Sequence, residues 1–490
     1  MTNMKKTVLC FSRSYLSVLL PRLLAEDKDI EALHIVQTDE EERNIVALGQ
    51  KVVLNLGKIS REAARAEGSP MWQEPEDMRS LTGFDFSPIY ADRYLPEFPQ
   101  DVRLRIAGAI QAGLEEIFAS HRIAGVLSEP VALFPTHYLL YLCKKNDARP
   151  LFWANTYFPR HFYFTHTINM VNPVRRVVPE ELDADGPLIT EIRTYLEKVA
   201  SDEAGPVYHH KFSKGKQSGW SYFRQRKGMD ALVLSPGLVS KGLQIARWGR
   251  AQLLKALFPR TGDYISAASA AEHHFYLRNQ FYSLSHYDAA PSAFHEGNIF
   301  FPLQYEPEAS LLYAAPWARN QFAVIETILQ SLPDGKLLWV KEHPNQFGPL
   351  SGPTWQGLRR RYSNLRLIFG RENGRHLIQR CSLAIAISST AGLDALIFGR
   401  KCFVLGDTYY QDFPDAVRIG STRHLATALN DMTNYVEENR RGDITALARA
   451  LGKFARFTYP GDPQPSNELF VEENLGSLRR AIRSELAIED

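Results

Sequence analysis

The sequence predicts an α/β protein built from two Rossmann-like domains, and three observations carry that prediction. The chain has 490 residues, more than one hydrophobic core usually organises, so two domains are the default. Short apolar runs alternate with longer amphipathic stretches in both halves, the pattern of βα units on a parallel sheet. Between the halves, residues 207–260 break the alternation with eleven basic residues against one acid, Asp230.

The expected division is an N-terminal domain over 1–290 carrying the basic insertion 207–260, a second domain over 291–465, and a terminal helix over 466–490 that crosses back. The joint falls within Gly262 to His295. In the first domain, strands are expected at Thr7–Ser12, Ala32–Val36, Gly125–Leu127 and Pro150–Ala154, with helices at Leu16–Ala25 and Ile106–Ala119. In the second, strands are expected at Asn298–Gln304, Lys336–Lys341, Leu365–Phe369, Leu383–Ile387 and Cys402–Leu405. Its helices are expected at Trp317–Gln330, Gly374–Arg380, Ala391–Phe398, Thr422–Val436 and Ile444–Phe457. Leu469–Leu486 reads as the terminal helix.

Composition narrows the function classes. Apolar content of 44% and charged content of 23% describe a chain that buries a core. A net charge of +2 argues against a general nucleic-acid binder, which would carry a large basic excess. Cys10, Cys143, Cys381 and Cys402 form no CxxC pair and have no His at ligand spacing, which disfavours a disulfide framework and structural zinc and fits a reducing cytoplasm. The apolar run after Lys5 and Lys6 is short and interrupted by Arg13, so Met1 to Leu20 is expected to open the first strand and not to act as a leader. No window approaches the ~20 apolar residues of a membrane span, so membrane contact would be peripheral. The basic insertion, with Lys211, Lys214, Arg224 and Arg226 among interleaved Trp220, Tyr222, Phe223 and Trp248, suits an anionic lipid surface or an anionic saccharide. A solvated connecting region accounts for it equally.

The chemistry concentrates at two strand ends of the second domain. In Leu383-Ala-Ile-Ala-Ile-Ser-Ser-Thr-Ala-Gly-Leu-Asp-Ala-Leu396 a buried strand turns directly into a helix. Such a turn points backbone N–H groups and the positive helix end at an anion, and Ser388, Ser389 and Thr390 add hydroxyls. Ordinary N-capping would explain that turn taken alone. Lys341-Glu-His-Pro344 follows another strand, with Pro344 ending it and His343 fixed at the sheet's carboxyl edge beside the charge of Lys341. Together the two motifs predict one phosphate-binding site. A third element, Gln304 to Ser310, brings Gln304 and Glu306, whose carboxylate suits ribose or sugar hydroxyls.

Pro302-Leu-Gln-Tyr-Glu-Pro-Glu, Val340-Lys-Glu-His-Pro, Ser388-Ser-Thr-Ala-Gly-Leu-Asp-Ala-Leu, Gly399-Arg-Lys and Gly406-Asp-Thr-Tyr-Tyr, in that order, resemble the bacterial capsule polysaccharide biosynthesis family. That family includes transferases of the acidic sugar Kdo from CMP-Kdo, on the GT-B fold of two Rossmann-like domains facing a cleft. The resemblance covers Phe301 to Phe413. It implies that His343 contacts the nucleotide phosphate, that Ser388, Ser389 and Thr390 bind phosphate at the helix start with Gly392 behind them, and that Asp394 or Glu306 holds the ribose. Asp394 stands where a glutamate would be expected. No metal or other cofactor is expected, because Asp183-Ala-Asp185 lies in a turn and a helix N-terminus with His and Lys can stabilise the leaving phosphate.

Glycosyl transfer also needs a carboxylate or imidazole near the acceptor hydroxyl, and Glu129, after a strand of the first domain, is the candidate beside His343. The resulting expectation is a cytoplasmic glycosyltransferase, peripheral on the inner membrane if the basic segment binds lipid. It would take a nucleotide-sugar donor, CMP-Kdo first, and a glycan or glycolipid acceptor, with no nucleic acid. The alternatives are a CDP-polyol phosphotransferase of teichoic-acid type and a non-catalytic glycan-binding or export-associated protein.

Overall fold

A computed structural model describes residues 5–168, 186–201, 203, 287–288, 298–306, 308–343, 352–368, 370, 372–431, 443–465 and 468–488. The basic insertion with Lys211, Lys214, Arg224 and Arg226, the Asp183/Asp185 pair, Pro344 and the expected division at 290 lie outside them. The chain forms two compact units.

The first unit contains β1 (Lys6–Phe11), β2 (Ile30–Val36), β3 (Lys51–Asn55), β4 (Ile123–Ser128), β5 (Arg149–Asn155) and β6 (His161–Thr165). They lie in the order β6-β5-β4-β1-β2-β3, with the two-residue strand Tyr459–Pro460 outside β6. β1 to β5 run parallel and β6 returns antiparallel on β5. Strand order reverses between β1 and β4, which makes their carboxyl ends the switch point of this sheet.

The end of the chain folds back onto this unit. The helix Glu472–Glu485 has Glu472 and Glu473 in its first turn and Arg483 in its last, both favourable to its dipole. Its stripe of Leu475, Leu478, Ala481 and Ile482 packs with Leu16, Leu20, Leu23, Leu151 and Trp153. Arg483 reaches Asp27 at 3.0 Å and Asp29 at 3.1 Å, and Arg149 reaches Glu485 at 2.7 Å. The apolar stripe carries the attachment, while the largely buried Arg483–Asp27 pair fixes where the helix sits and is costly to break from one side. Leu478 is fully buried, so Leu478→Ala is expected to lower unfolding free energy by about 3 kcal/mol in urea titration. A change within about 0.5 kcal/mol would mean that the helix does not help hold this core.

The second unit contains β7 (Ile299–Pro302), β8 (Leu338–Lys341), β9 (Leu365–Ile368), β10 (Leu383–Ala386), β11 (Lys401–Val404) and β12 (Ala416–Arg418). They form one parallel sheet in the order β12-β11-β10-β7-β8-β9. The chain starts centrally at β7, moves outward through β8 and β9, and crosses to β10 on the other side. Every residue of β8 and β10 is buried, which is why they read as continuous apolar runs. The switch point lies between β7 and β10.

Local chemistry shortened some expected elements. The helix foreseen over Trp317–Gln330 is split: Pro316–Ala318 forms a 3-10 turn, and the α-helix Gln321–Ser331 begins after Asn320, whose side chain accepts from the Ala323 N–H at 3.3 Å. Of the helix foreseen over Thr422–Val436 the structure describes Thr422–Asn430, and 432–436 lie outside the described residues. β3, β6 and β12 were not foreseen.

Candidate functional site: a phosphate-binding strand edge

Strand register assembles the site. β10 pairs with β7 through Leu383 with Ile299 and Ala384 with Phe300, so the turn at Ser388 and the loop at Gln304 leave the carboxyl ends of neighbouring parallel strands. β7 pairs with β8 through Pro302 and Lys341, and the Leu303 N–H continues the ladder to the Lys341 carbonyl at 2.8 Å, so Gln304 stands level with His343. On the other side Gly406 donates to the Ile387 carbonyl at 2.8 Å, placing Gly406 beside Ser388. Three motifs distant in sequence thereby share one edge at the switch point, where ligands of open α/β sheets bind.

At the centre is the turn into the helix Thr390–Ile397. Ser389 occupies the N-cap with extended backbone, φ −79 and ψ 156, yet its side chain does not cap the helix. The Ser388 and Ser389 hydroxyls are both buried without a hydrogen-bond partner in the protein. Ordinary N-capping therefore fails as an explanation of these serines. A buried hydroxyl without a partner costs about 1–3 kcal/mol, and an anion at the helix start would accept from both hydroxyls and from the free N–H groups of the first turn. Gln304, also buried, has an Nε2 with no partner.

Gly392 serves this turn indirectly. A Cβ there would overlap the Tyr410 hydroxyl and stand 2.8 Å from Cε2 of that ring. Tyr410 donates to the Ser389 carbonyl, so the glycine admits the phenol that fixes the serine backbone. Gly406 is equally constrained, since a Cβ would meet Ala315 Cβ at 2.8 Å.

His343 packs edge-on against Tyr305, ring centres 5.7 Å apart. Burial, with the Lys341 charge second, pushes its pKa down to about 4. The imidazole is therefore neutral near pH 7 and can act as a hydrogen-bond donor, not as a cation. A phosphate dianion beside it would favour the protonated ring, so CMP should raise its titration midpoint. A two-dimensional NMR titration of the ring, with and without CMP, checks this, and an unmoved midpoint would place the phosphate elsewhere.

Lys341 is buried, and its ammonium donates to the carbonyls of Gly370 and, at 3.2 Å, Glu342. Burial pushes its pKa down to about 8, against the opposing charges of Glu372 and Glu342. It ties β8 to the loop after β9, so any effect on a phosphate acts through charge. Glu342 accepts from the Tyr287 hydroxyl.

The two ribose candidates sit differently. Asp394 is 1% exposed and lies 3.7 Å from Nε of buried Arg375. Arg375 also donates to the Val199 carbonyl and stacks on Phe398. Asp394 thus belongs to the packing between the helices Pro187–Ala200 and Thr390–Ile397. Glu306 is half-buried on the loop after β7, its pKa raised chiefly by desolvation, and accepts from Gln321 Nε2.

In the first unit, Glu129 stands at the switch point, its carboxylate 2.8 Å from Nε of Arg13 at the end of β1. Beside them Ser12 Oγ meets His34 Nδ1 at 2.7 Å, with both residues buried. Sequence reading missed Arg13, Gln321 and Tyr410. The Tyr-Tyr pair was quoted as a motif, but only the fold shows which tyrosine holds the turn.

Among the described residues no group of three or more His, Cys, Asp or Glu could hold a metal ion, and no helix is long and apolar enough to cross a membrane. The four cysteines are free and buried.

Residues 266–414 match the model of a family described as capsule polysaccharide biosynthesis protein, a stretch that contains every motif of the second-unit edge. Protein FixF of Sinorhizobium fredii (strain NBRC 101917 / NGR234) is 22% identical over 116 residues, 23% of this chain. That match spans only 27% of the relative. Among solved structures, the beta Kdo 2,4 transferase of Thermosulfurimonas dismutans KpsC is 11% identical, covering 73% of this chain and 87% of that one with a TM-score of 0.36. The beta Kdo 2,7 transferase of the same KpsC is 12% identical, covering 77% and 90% with a TM-score of 0.32. A Methanocaldococcus jannaschii UDP-GlcNAc 2-epimerase is 10% identical, covering 91% and 98% with a TM-score of 0.28.

Proposed function

We propose that the chain is a glycosyltransferase of capsule or related surface-polysaccharide assembly, taking a CMP-activated sugar, with CMP-Kdo the first donor to test. The observation that carries this reading is the pair of buried, partnerless hydroxyls at Ser388 and Ser389, at the helix start on the switch point of the second sheet. The family match over that same segment supports a role in capsule polysaccharide biosynthesis.

In this reading the phosphate rests on the Ser388–Thr390 turn with neutral His343 as a donor, and Glu306 accepts from the ribose. As the glycosidic bond to phosphate breaks, negative charge grows on the phosphate oxygens, and fixed donors stabilise it without reorganising. On the first unit, Glu129 held by Arg13 is the proposed base for the acceptor hydroxyl of a glycan or glycolipid. The basic stretch 207–260 would bring the cytoplasmic enzyme to an anionic membrane face. Sedimentation with anionic and with neutral vesicles tests that, and equal partitioning removes the membrane role.

A donor screen with full-length protein and glycolipid acceptor tests the main reading. The expected outcome is CMP release and sugar transfer from CMP-Kdo, lost in His343→Ala. Transfer of glycerol phosphate from CDP-glycerol would replace it with the polyol-phosphate reaction, and no transfer from any cytidine donor would overturn it.

A further inference from the structure

The turn that carries the two serines is held from outside the helix by one phenol. Tyr410 is 1% exposed and donates its hydroxyl to the Ser389 carbonyl, which also accepts from the Gly392 N–H at 3.1 Å. The carbonyl and N–H of a trans peptide unit point in opposite directions. A Ser389 carbonyl fixed toward the phenol and the first helical turn therefore aims the Thr390 N–H away from the helix start, where an anion would sit.

The loop after β11 that supplies the phenol is itself pinned. Gly406 and Asp407 donate to the carbonyls of Ile387 and Ala314, each at 2.8 Å, and the Leu405 carbonyl accepts from Trp317 Nε1 at 2.9 Å. Tyr409 packs edge-on against the Tyr410 ring, with 5.6 Å between ring centres. The loop after β7 is gripped in the same manner: Gln321 Oε1 accepts from the Gln304 N–H at 2.7 Å and its Nε2 donates to the Gln304 carbonyl at 3.2 Å. Side chains thus hold the main chain on both sides of the serine turn, while Gln304 Nε2 stays buried without a partner. Room for the phenol depends on Gly392, since a Cβ there would also stand 2.9 Å from Cζ of Tyr410.

We propose that Tyr410 is a positioning residue for the phosphate, acting through the Ser389 carbonyl and not on the ligand. It holds the Ser389–Thr390 peptide so that the Thr390 N–H and the two serine hydroxyls converge on one anion. The inference rests on the phosphate-site reading above. A ring that only filled space would affect every ligand alike, whereas a ring that orients phosphate donors matters only to ligands that carry a phosphate.

The test compares CMP with cytidine by titration calorimetry on the full-length chain. Wild type should prefer CMP by about a hundredfold or more, the worth of two charge-assisted hydrogen bonds. Tyr410→Phe keeps the ring and removes one hydrogen bond. It should lower CMP affinity by about three- to tenfold and leave cytidine affinity within about twofold. Gly392→Ala, which drives the phenol from the Ser389 carbonyl, should give the same selective loss and serves if Tyr410→Phe does not fold. A folded variant that loses CMP and cytidine equally, or keeps CMP affinity within about twofold, overturns the positioning role and leaves the donor reading standing. Equal binding of CMP and cytidine by wild type, or binding of neither, overturns both.

Discussion

Replacing Asp394 with alanine is expected to destabilise the protein by about 3–5 kcal/mol, because it removes the carboxylate of a buried ion pair with Arg375. The guanidinium also donates to the Val199 carbonyl and lies over the face of Phe398, neither of which carries a charge. At 3.7 Å the pair is loose, so its net worth is small while the cost of removing one member is large. Urea unfolding reads the loss. Asp394→Asn should recover part of it, since an amide still accepts from the guanidinium. If Asp394 were a ribose ligand, the alanine variant would instead keep its stability and lose CMP affinity, so one pair of measurements separates the two roles.

The double substitution Ser388→Ala, Ser389→Ala should behave in the opposite way. Both hydroxyls are buried without partners in the free protein, so deleting them removes a desolvation cost and should leave stability unchanged or raise it by up to about 2 kcal/mol. The same deletion strips two donors from the phosphate, and CMP affinity should fall by about 10- to 100-fold. A free protein made more stable by the change that abolishes ligand stabilisation is the signature of groups kept for binding. Thermal unfolding with and without CMP measures both arms. A loss of stability in the free protein with CMP binding intact would make the serines ordinary parts of a helix cap.

Much of this architecture was legible because buried parallel strands announce themselves. Leu383–Ala386 and Leu338–Lys341 are apolar runs ended by polar turns, and both fall where expected. The return of the terminal helix was expected from the GT-B resemblance, and its apolar stripe became visible only in the fold. β3 and β6 were missed for physical reasons. Lys51–Asn55 is a sheet-edge strand with three half-buried residues and a weak apolar signature, and His161–Thr165 reverses direction through Arg160, whose φ of +58 no residue pattern announced. At the site, the serine turn, His343 and Glu306 could be named from the chain, but their partners could not. Whether Lys341 faces a ligand or the Gly370 carbonyl, and whether Asp394 faces a sugar or Arg375, is decided by neighbours many residues away. Gln321 gave no signal at all, since a polar residue at a helix start is ordinary until the peptide it grips is seen.

Titration calorimetry of full-length protein with CMP, CDP, UDP, GDP and ADP tests the phosphate and cytidine site most directly. The expected result is binding of CMP, with weaker binding of UDP, GDP and ADP, and loss of the CMP signal in the Ser388→Ala, Ser389→Ala variant. Equal binding of CMP by wild type and that variant, or no heat with any of the five nucleotides, would contradict it.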